Sequence, residues 1–123
     1  ERHMPRFVIL RHEPSDGSIR PLHWDFMVEQ GETLRTWALA EEPTPNRCIA
    51  AESLADHRLA YLDYEGPIAG NRGYVTRWDR GEYTIEESTP EKLVLTVHGE
   101  KLIGRVEVML TADSETAAWR WTR

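Results

Sequence analysis

The segment His23-Trp24-Asp25 places an imidazole and a carboxylate two residues apart in a stretch of alternating polar and apolar residues. In a β-strand, residues i and i+2 point to the same face, so both side chains can reach one metal ion. His12, which follows an apolar run, offers a third ligand. Two histidines and one carboxylate are a recurrent ligand set for divalent metals and leave positions open for water and substrate. From these residues alone, the alternative is a solvated or hydrogen-bonded His–Asp pair.

His57 and Tyr61 form a second candidate pair, four residues apart. Asp56 can cap a short helical turn over residues 57–62, and such a turn would align the two side chains on one side. An imidazole and a phenol that face a phosphate can stabilise its charge or donate a proton to a leaving oxygen. The alternative is a capped surface helix with Tyr61 packed into the core.

A local basic patch is the third feature. Residues 71–81 hold three arginines against one acid: Arg72, Arg77 and Arg80 against Asp79. Arg11 and Arg47 can join the patch from other strands. Arginines beside Tyr74 and Trp78 suit phosphate binding and base stacking. Because alternate strand positions point to opposite faces, the competing interpretation places Trp78 in the core.

The elements that must position these residues are mainly strands, because most of the chain alternates with period two. We predict strands at residues 7–10, 22–29, 34–39, 47–51, 74–78, 83–85, 93–97 and 102–110, and a terminal strand around Trp119 and Trp121. Turn signals at residues 30–32, 79–81, 88–90 and 98–100 separate several of them. The glycine-rich loop at residues 65–73 allows close approach of its backbone to a ligand. The pattern predicts a mainly β protein: a closed or nearly closed antiparallel β-barrel of about eight strands with one short helix.

Composition bounds the function. The chain has 123 residues and a formal net charge of −6, which argues against a general nucleic-acid coat protein, because such proteins neutralise phosphates with Lys and Arg. The acid excess lies chiefly within residues 82–115, away from the candidate site. A single cysteine, Cys48, excludes an internal disulfide framework and a cysteine-cage zinc site. No apolar run approaches the length of a spanning helix. We expect a cytoplasmic, monomeric protein without membrane contact, formed by one domain over residues 1–123 with residues 1–5 as a tail.

Several segments form an ordered set of motifs. They are Phe7-Val8-Ile9-Leu10-Arg11-His12, Leu22-His23-Trp24-Asp25-Phe26-Met27-Val28-Glu29, Thr36-Trp37-Ala38, Asp56-His57-Arg58-Leu59-Ala60-Tyr61, Tyr64-Glu65-Gly66-Pro67-Ile68, Trp78-Asp79-Arg80-Gly81-Glu82-Tyr83 and Gly99-Glu100-Lys101-Leu102-Ile103-Gly104. Their order and spacing over residues 7–108 resemble the 3′-phosphoesterase domain of bacterial ligase D, a family of DNA end-healing enzymes. The family segment that matches residues 56–61 reads Asp-His-Pro-Leu-Glu-Tyr.

The resemblance implies a barrel fold and a metal site of the manganese type, with zinc or cobalt as other candidates. The implied metal ligands are His12, His23 and Asp25, the implied phosphate-contacting catalytic pair is His57 and Tyr61, and the implied basic phosphate contact is Arg47. We expect Arg11 and Arg72 to add to phosphate binding. The family removes 3′-phosphates and 3′-terminal ribonucleosides, which leaves a 3′-hydroxyl for a polymerase or ligase. The expected partners are therefore a nucleic-acid 3′ end, held by weak and local contacts, and separate ligase or polymerase proteins.

Two positions depart from the family pattern. Met27 replaces an arginine two residues beyond the ligand aspartate, and Glu41 replaces a lysine. Three hypotheses follow: a metal-dependent phosphoesterase for nucleic-acid 3′ ends, a non-catalytic module that keeps the metal and phosphate pocket, and a domain that keeps only the fold.

Overall fold

The computed structural model describes residues 3–17 and 20–123, and nearly all of its regular structure is β. The strands are β1 (Arg6–Glu13), β2 (His23–Gln30), β3 (Thr33–Leu39), β4 (Cys48–Arg58), β5 (Gly66–Pro67), β6 (Tyr74–Ser88), β7 (Lys92–Gly99), β8 (Ile103–Leu110) and β9 (Thr116–Thr122). A 3-10 turn at Leu59–Leu62 is the one helical element of the described part. Within that part, no helix has the length and apolar character needed to cross a membrane. The expected tail begins with residues 1 and 2, which lie outside the described residues.

Antiparallel pairing closes the sheet into a barrel. The neighbours run in the order β1-β2-β3-β4-β9-β8-β7-β6, and β6 pairs in turn with β1. Strand β5 is a two-residue addition to the start of β6 and lies outside this ring of eight strands. The expected antiparallel barrel of about eight strands is confirmed, and it is closed.

Alternation along the strands separates two apolar layers. On β2, Trp24, Phe26 and Val28 join the large cluster that fills the barrel. Trp37 and Trp119 lie in the same cluster and are fully buried. The closed ring and its filled interior leave the outer face of the barrel as the place for a binding site.

The outer face beside β1 and β2 carries a second, smaller cluster, which we call the outer apolar cluster. Its buried members are Val8, Leu10, Met27, Leu34, Leu62 and Val75. Leu59, Tyr61 and Ile68 pack against it from the segment between β4 and β6. This segment therefore folds over the outside of β1 and β2, so the second face of β2 is also buried.

The predicted turn at residues 79–81 is wrong, because β6 runs without interruption from Tyr74 to Ser88. Asp79 is buried, and its carboxylate accepts hydrogen bonds from the backbone N–H groups of residues 100–102 between β7 and β8. A Cβ on Gly81 would collide with the carbonyl oxygen of His98 on β7. Asp79 and Gly81 are of residue types that are typical of turns, but here both lie within β6 and make long-range contacts.

The predicted helical turn over residues 57–62 also begins two residues too early, because the 3-10 turn starts at Leu59. His57 and Arg58 belong to β4, where they pair with Leu34 and Thr33 of β3. Asp56 does not cap the turn; its carboxylate accepts a hydrogen bond from the Thr33 hydroxyl. Pairing with β3 keeps this segment extended until the 3-10 turn begins at Leu59.

Candidate metal centre and active site

Three potential ligands meet where β1 ends and β2 begins. His12 and His23 are direct partners in the antiparallel pairing, and Asp25 lies opposite Leu10. All three side chains project to the outer face, and one ligand atom of each lies within 4.8 Å of the others. The Asp25 carboxylate is 2 % exposed and lies between the imidazoles: Oδ2 is 3.1 Å from His12 Nδ1, and Oδ1 is 3.1 Å from His23 Nε2.

Backbone carbonyls hold the far side of each imidazole. His12 Nε2 lies 2.8 Å from the carbonyl oxygen of Arg72, and His23 Nδ1 lies 3.0 Å from that of Pro21. A carbonyl oxygen only accepts hydrogen bonds, so these ring nitrogens carry the N–H. In the neutral rings, His12 Nδ1 and His23 Nε2 then direct lone pairs toward the Asp25 carboxylate.

This arrangement of lone pairs fits a cation. Asp25 Oδ1 is buried and makes no hydrogen bond within the described residues, although His23 Nε2 is near it. Two imidazole lone pairs and a carboxylate oxygen are a suitable donor set for a first-row divalent metal, and the carbonyls that orient the rings are typical second-shell partners.

The protonation of the cluster reflects the same geometry. When the His12 ring is protonated, its Nδ1–H donates to the Asp25 carboxylate, and this hydrogen bond raises the pKa of His12 above its ordinary value. Burial alone would raise the pKa of Asp25, but the adjacent imidazoles of His12 and His23 outweigh it, so this pKa lies below its ordinary value. The carboxylate is therefore ionised at neutral pH, as a metal ligand must be.

Gly73 allows the loop carbonyl to approach His12. The backbone of Gly73 has φ +101°, and a Cβ there would collide with the carbonyl oxygen of Glu13 and come within 3.2 Å of His12 Nε2. The adjacent Arg72 carbonyl reaches His12 because this position has no side chain. The expectation that the glycine-rich loop at residues 65–73 brings backbone close to a site therefore has a specific place in the structure.

An open cleft of about 430 Å³ joins the cluster to the second candidate pair. The cleft is lined by Leu10, His12, Asp25, Met27, Ala55, Asp56, His57, Arg58, Tyr61, Ile68, Arg72 and Val75. The rings of His57 and Tyr61 meet edge to face, with centroids 5.7 Å apart. His57 Nδ1 lies 2.9 Å from the Ala55 carbonyl oxygen and donates to it, so Nε2 is the nitrogen available to a ligand.

Of the predicted phosphate-binding arginines, only Arg72 lines this cleft. Arg11 is paired with Glu13, and Arg47 is paired with Glu41. The acid at position 41 thus neutralises the arginine expected to contact phosphate. Met27 is 1 % exposed within the outer apolar cluster and contributes to the floor of the cleft.

Sequence reasoning did not single out Arg58 as a site residue, and it identified Gly73 only as part of the glycine-rich loop at residues 65–73. Arg58 follows His57 directly, so its place in the cleft follows from the end of β4. A larger cleft of about 680 Å³ lies elsewhere, beside Trp78 and Trp121, and no histidine is among the described residues that line it. The smaller cleft is therefore the candidate active site, on chemical grounds.

The fold and the site define a class: small β-barrel proteins with a candidate metal centre on the outer face of the barrel. The chain belongs to the DNA ligase D 3′-phosphoesterase domain family, whose model matches residues 12–110. This membership confirms the resemblance seen in the sequence motifs.

Curated relatives agree with the family. The chain is 33% identical over 116 residues to the multifunctional non-homologous end joining protein LigD of Pseudomonas aeruginosa, covering 86% of the chain and 13% of the relative. It is 30% identical over 132 residues to that of Mycolicibacterium smegmatis and 29% identical over 123 residues to that of Mycobacterium bovis. These two alignments cover 94% and 93% of the chain, and 16% of each relative. The chain thus spans less than a fifth of the length of these relatives.

Proposed function

We propose that this protein is a divalent-metal-dependent phosphoesterase that acts on nucleic-acid 3′ ends in DNA repair. Its reaction would be a hydrolysis: water would cleave off a 3′-terminal ribonucleoside and leave a 3′-phosphate, or would release a 3′-phosphate as inorganic phosphate and leave a 3′-hydroxyl for a ligase or polymerase. The observation that carries the proposal is the convergence of His12, His23 and Asp25 in one cluster, of which His12 and Asp25 line a cleft together with His57 and Tyr61.

His12, His23 and Asp25 would hold the metal, most simply Mn²⁺, with Zn²⁺ or Co²⁺ as alternatives. The bound metal would neutralise a phosphate oxygen and the charge that develops at phosphorus. His57 would present Nε2 to a phosphate oxygen or to the leaving oxygen, because Nδ1 is held by the Ala55 carbonyl. The Tyr61 hydroxyl would donate a hydrogen bond to the same group.

The charge distribution favours recognition of an end over a long duplex. With a net charge of −6, the chain offers little general attraction for a phosphate backbone. A single terminal phosphate can instead be bound by the metal and the few polar groups of the cleft. We therefore propose weak, local contact with nucleic acid and end recognition that depends on the metal.

A second candidate function is a non-catalytic module that binds metal and phosphate. Met27 leaves the cleft floor apolar at a position where the family carries an arginine, and Glu41 is paired with Arg47. Loss of a preorganised charge costs about 10²- to 10³-fold in rate. Turnover above background would support the phosphoesterase over the non-catalytic module.

The direct test uses a duplex primer that ends in a 3′-phosphate, with the purified protein and Mn²⁺. We expect release of inorganic phosphate, loss of activity with a chelator, and a rate about 10²-fold lower for His57→Ala, which removes a group that contacts the reacting phosphate. The His57→Ala variant should bind Mn²⁺ as the unmodified protein does. Absence of product at high concentrations of metal-loaded protein, on both 3′-phosphate and 3′-ribonucleotide ends, would reject the enzyme and leave the binding module.

A glycine pair tests the contact that orients His12. Gly73→Ala should lower the affinity for Mn²⁺ about 10- to 100-fold, because its Cβ would displace the Arg72 carbonyl from His12 Nε2. Gly70→Ala is the matched control: Gly70 also has a positive φ of +78°, but a Cβ there meets only the flexible Arg72 side chain within 4 Å. Calorimetric titration of both variants measures the difference. Equal affinities would show that the loop carbonyl does not support the metal centre.

A further inference from the structure

We propose that Arg58 binds the substrate phosphate in this protein and supplies the guanidinium that position 27 lacks. The inference rests on the proposed function, because it assigns the ligand of the same cleft. Arg58 stands where the family segment quoted above has a proline, and it lines the cleft together with His57 and Tyr61.

Position 27 itself presents no charge to the cleft. Met27 is buried among Leu10, Leu34 and Leu62, beneath the 3-10 turn. A guanidinium there would lose its hydration inside an apolar cluster, which is costly without a partner. In this chain a guanidinium for the cleft has to come from another lining residue.

The backbone and an aromatic ring place Arg58 at that rim. Arg58 is the last residue of β4, pairs with Thr33 of β3, and immediately precedes the 3-10 turn. Its Cζ lies 5.9 Å from the centroid of the Tyr61 ring. Stacking on an aromatic ring engages the face of the guanidinium and leaves the N–H groups in its plane free to bind an oxyanion.

Arg58 also has no carboxylate partner in the part of the chain that the structure describes. The arginines Arg6, Arg11, Arg20, Arg47, Arg80 and Arg105 each form an ion pair. The described carboxylates that line the cleft are Asp25, within the metal cluster, and Asp56, which accepts from Thr33. The positive charge of Arg58 is thus available to an anionic ligand.

Arg72 completes a cationic pair around the Tyr61 side chain. Arg58, Tyr61 and Arg72 also line a smaller adjoining cleft of about 210 Å³. Arg72 Nε donates to the Ala69 carbonyl oxygen at 2.7 Å, so one of its donors is already used. The two guanidinium groups, together with the candidate metal ligands His12 and Asp25 that line the same cleft, suit a terminal phosphate that carries two negative charges.

The test measures binding of inorganic phosphate to the folded 123-residue chain by calorimetry, with and without stoichiometric Mn²⁺, beside turnover of the 3′-phosphate primer. Arg58→Ala should weaken phosphate binding roughly 10- to 100-fold, and Arg58→Lys should recover part of the loss, because it keeps the charge without the planar fork. Arg35→Ala is the matched control, since Arg35 stacks on Trp37 with Cζ 4.6 Å from the ring centroid but does not line the cleft. Circular dichroism and thermal melts verify that all variants fold.

The outcomes separate this inference from the proposed function. Unchanged phosphate affinity and turnover in Arg58→Ala, with active unmodified protein, would overturn the role of Arg58 and leave the enzyme intact. Absence of turnover in the unmodified protein, with phosphate binding that depends on Arg58, would reject the enzyme and support the phosphate site. Failure of the unmodified protein to bind phosphate in either metal state would overturn the Arg58 proposal, as would equal losses in Arg58→Ala and Arg35→Ala.

Discussion

Asp25→Asn is expected to lower the affinity of the protein for Mn²⁺ by more than about a hundredfold, since loss of a second-shell partner alone costs 10- to 100-fold. Turnover of a 3′-phosphate end should fall about a thousandfold. The Asp25 carboxylate lies between two imidazoles, and its Oδ1 has no hydrogen bond within the described residues. Asparagine keeps the shape of the side chain but removes the negative charge that a divalent cation requires. Titration calorimetry and elemental analysis of the purified variant measure the loss.

Asp56→Asn is the control for this substitution, because Asp56 lines the same cleft but lies outside the histidine–carboxylate cluster. It should bind Mn²⁺ as the unmodified protein does. His23→Ala should reproduce the loss seen with Asp25→Asn. If Asp25→Asn retained full Mn²⁺ affinity while folding normally, the cluster would not be the metal site.

Asp79→Asn should produce the largest effect on stability, a decrease of about 3 kcal/mol in the free energy of unfolding and about 10 °C in Tm. The buried Asp79 carboxylate accepts from the backbone N–H groups of Glu100, Lys101 and Leu102 at 2.9, 3.0 and 2.7 Å. Asparagine offers one oxygen, and its amide would direct N–H groups at N–H groups. Urea and thermal unfolding measure the change.

Asp113→Asn provides a comparison on the surface. Asp113 also accepts a backbone N–H group, from Glu115, and a hydroxyl, from Thr111, but its side chain is exposed. Its replacement should hardly change the melting temperature. Asp79 does not line the candidate active site, so Asp79→Asn should retain Mn²⁺ binding at temperatures where it is folded. A melting temperature equal to that of Asp113→Asn would show that the carboxylate is not the cap of the β7–β8 turn.

The arrangement of His23 and Asp25 in the candidate metal centre was predictable because it depends on local periodicity. Alternation over residues 22–29 puts His23 and Asp25 on one face of β2 and Trp24 on the other, and the structure has this arrangement. The turn at residues 30–32 joins β2 to β3 where it was expected. What alternation did not show is that both faces of β2 are buried, because the cover comes from a segment more than thirty residues later in the chain.

The sequence-based predictions that were wrong have a common physical cause. Asp79 and Gly81 are of residue types that are typical of turns. In the fold, Asp79 caps the distant turn between β7 and β8, and Gly81 leaves space for the His98 carbonyl oxygen of the neighbouring strand. His57 and Tyr61 have helical spacing, but β3 holds His57 in a strand, and the two rings still meet. The carbonyl that orients His12 belongs to Arg72, and a backbone carbonyl has no signature in residue type. Long-range backbone contacts decide the positions of these groups, and such contacts cannot be predicted from the local sequence pattern.

The position of the cleft on the outside of a filled barrel has a consequence for the size of the substrate. Trp37, Trp119 and their neighbours fill the interior, so no strand of nucleic acid has to thread through the fold. A terminus bound as proposed would instead lie against the outer wall of the barrel. If a nucleic-acid end binds there as proposed, the short segment between β4 and β6 would set the clearance around its terminal nucleotide. On that proposal, a recessed end, a blunt end and an end already held by a repair protein would all meet the same small area of contact.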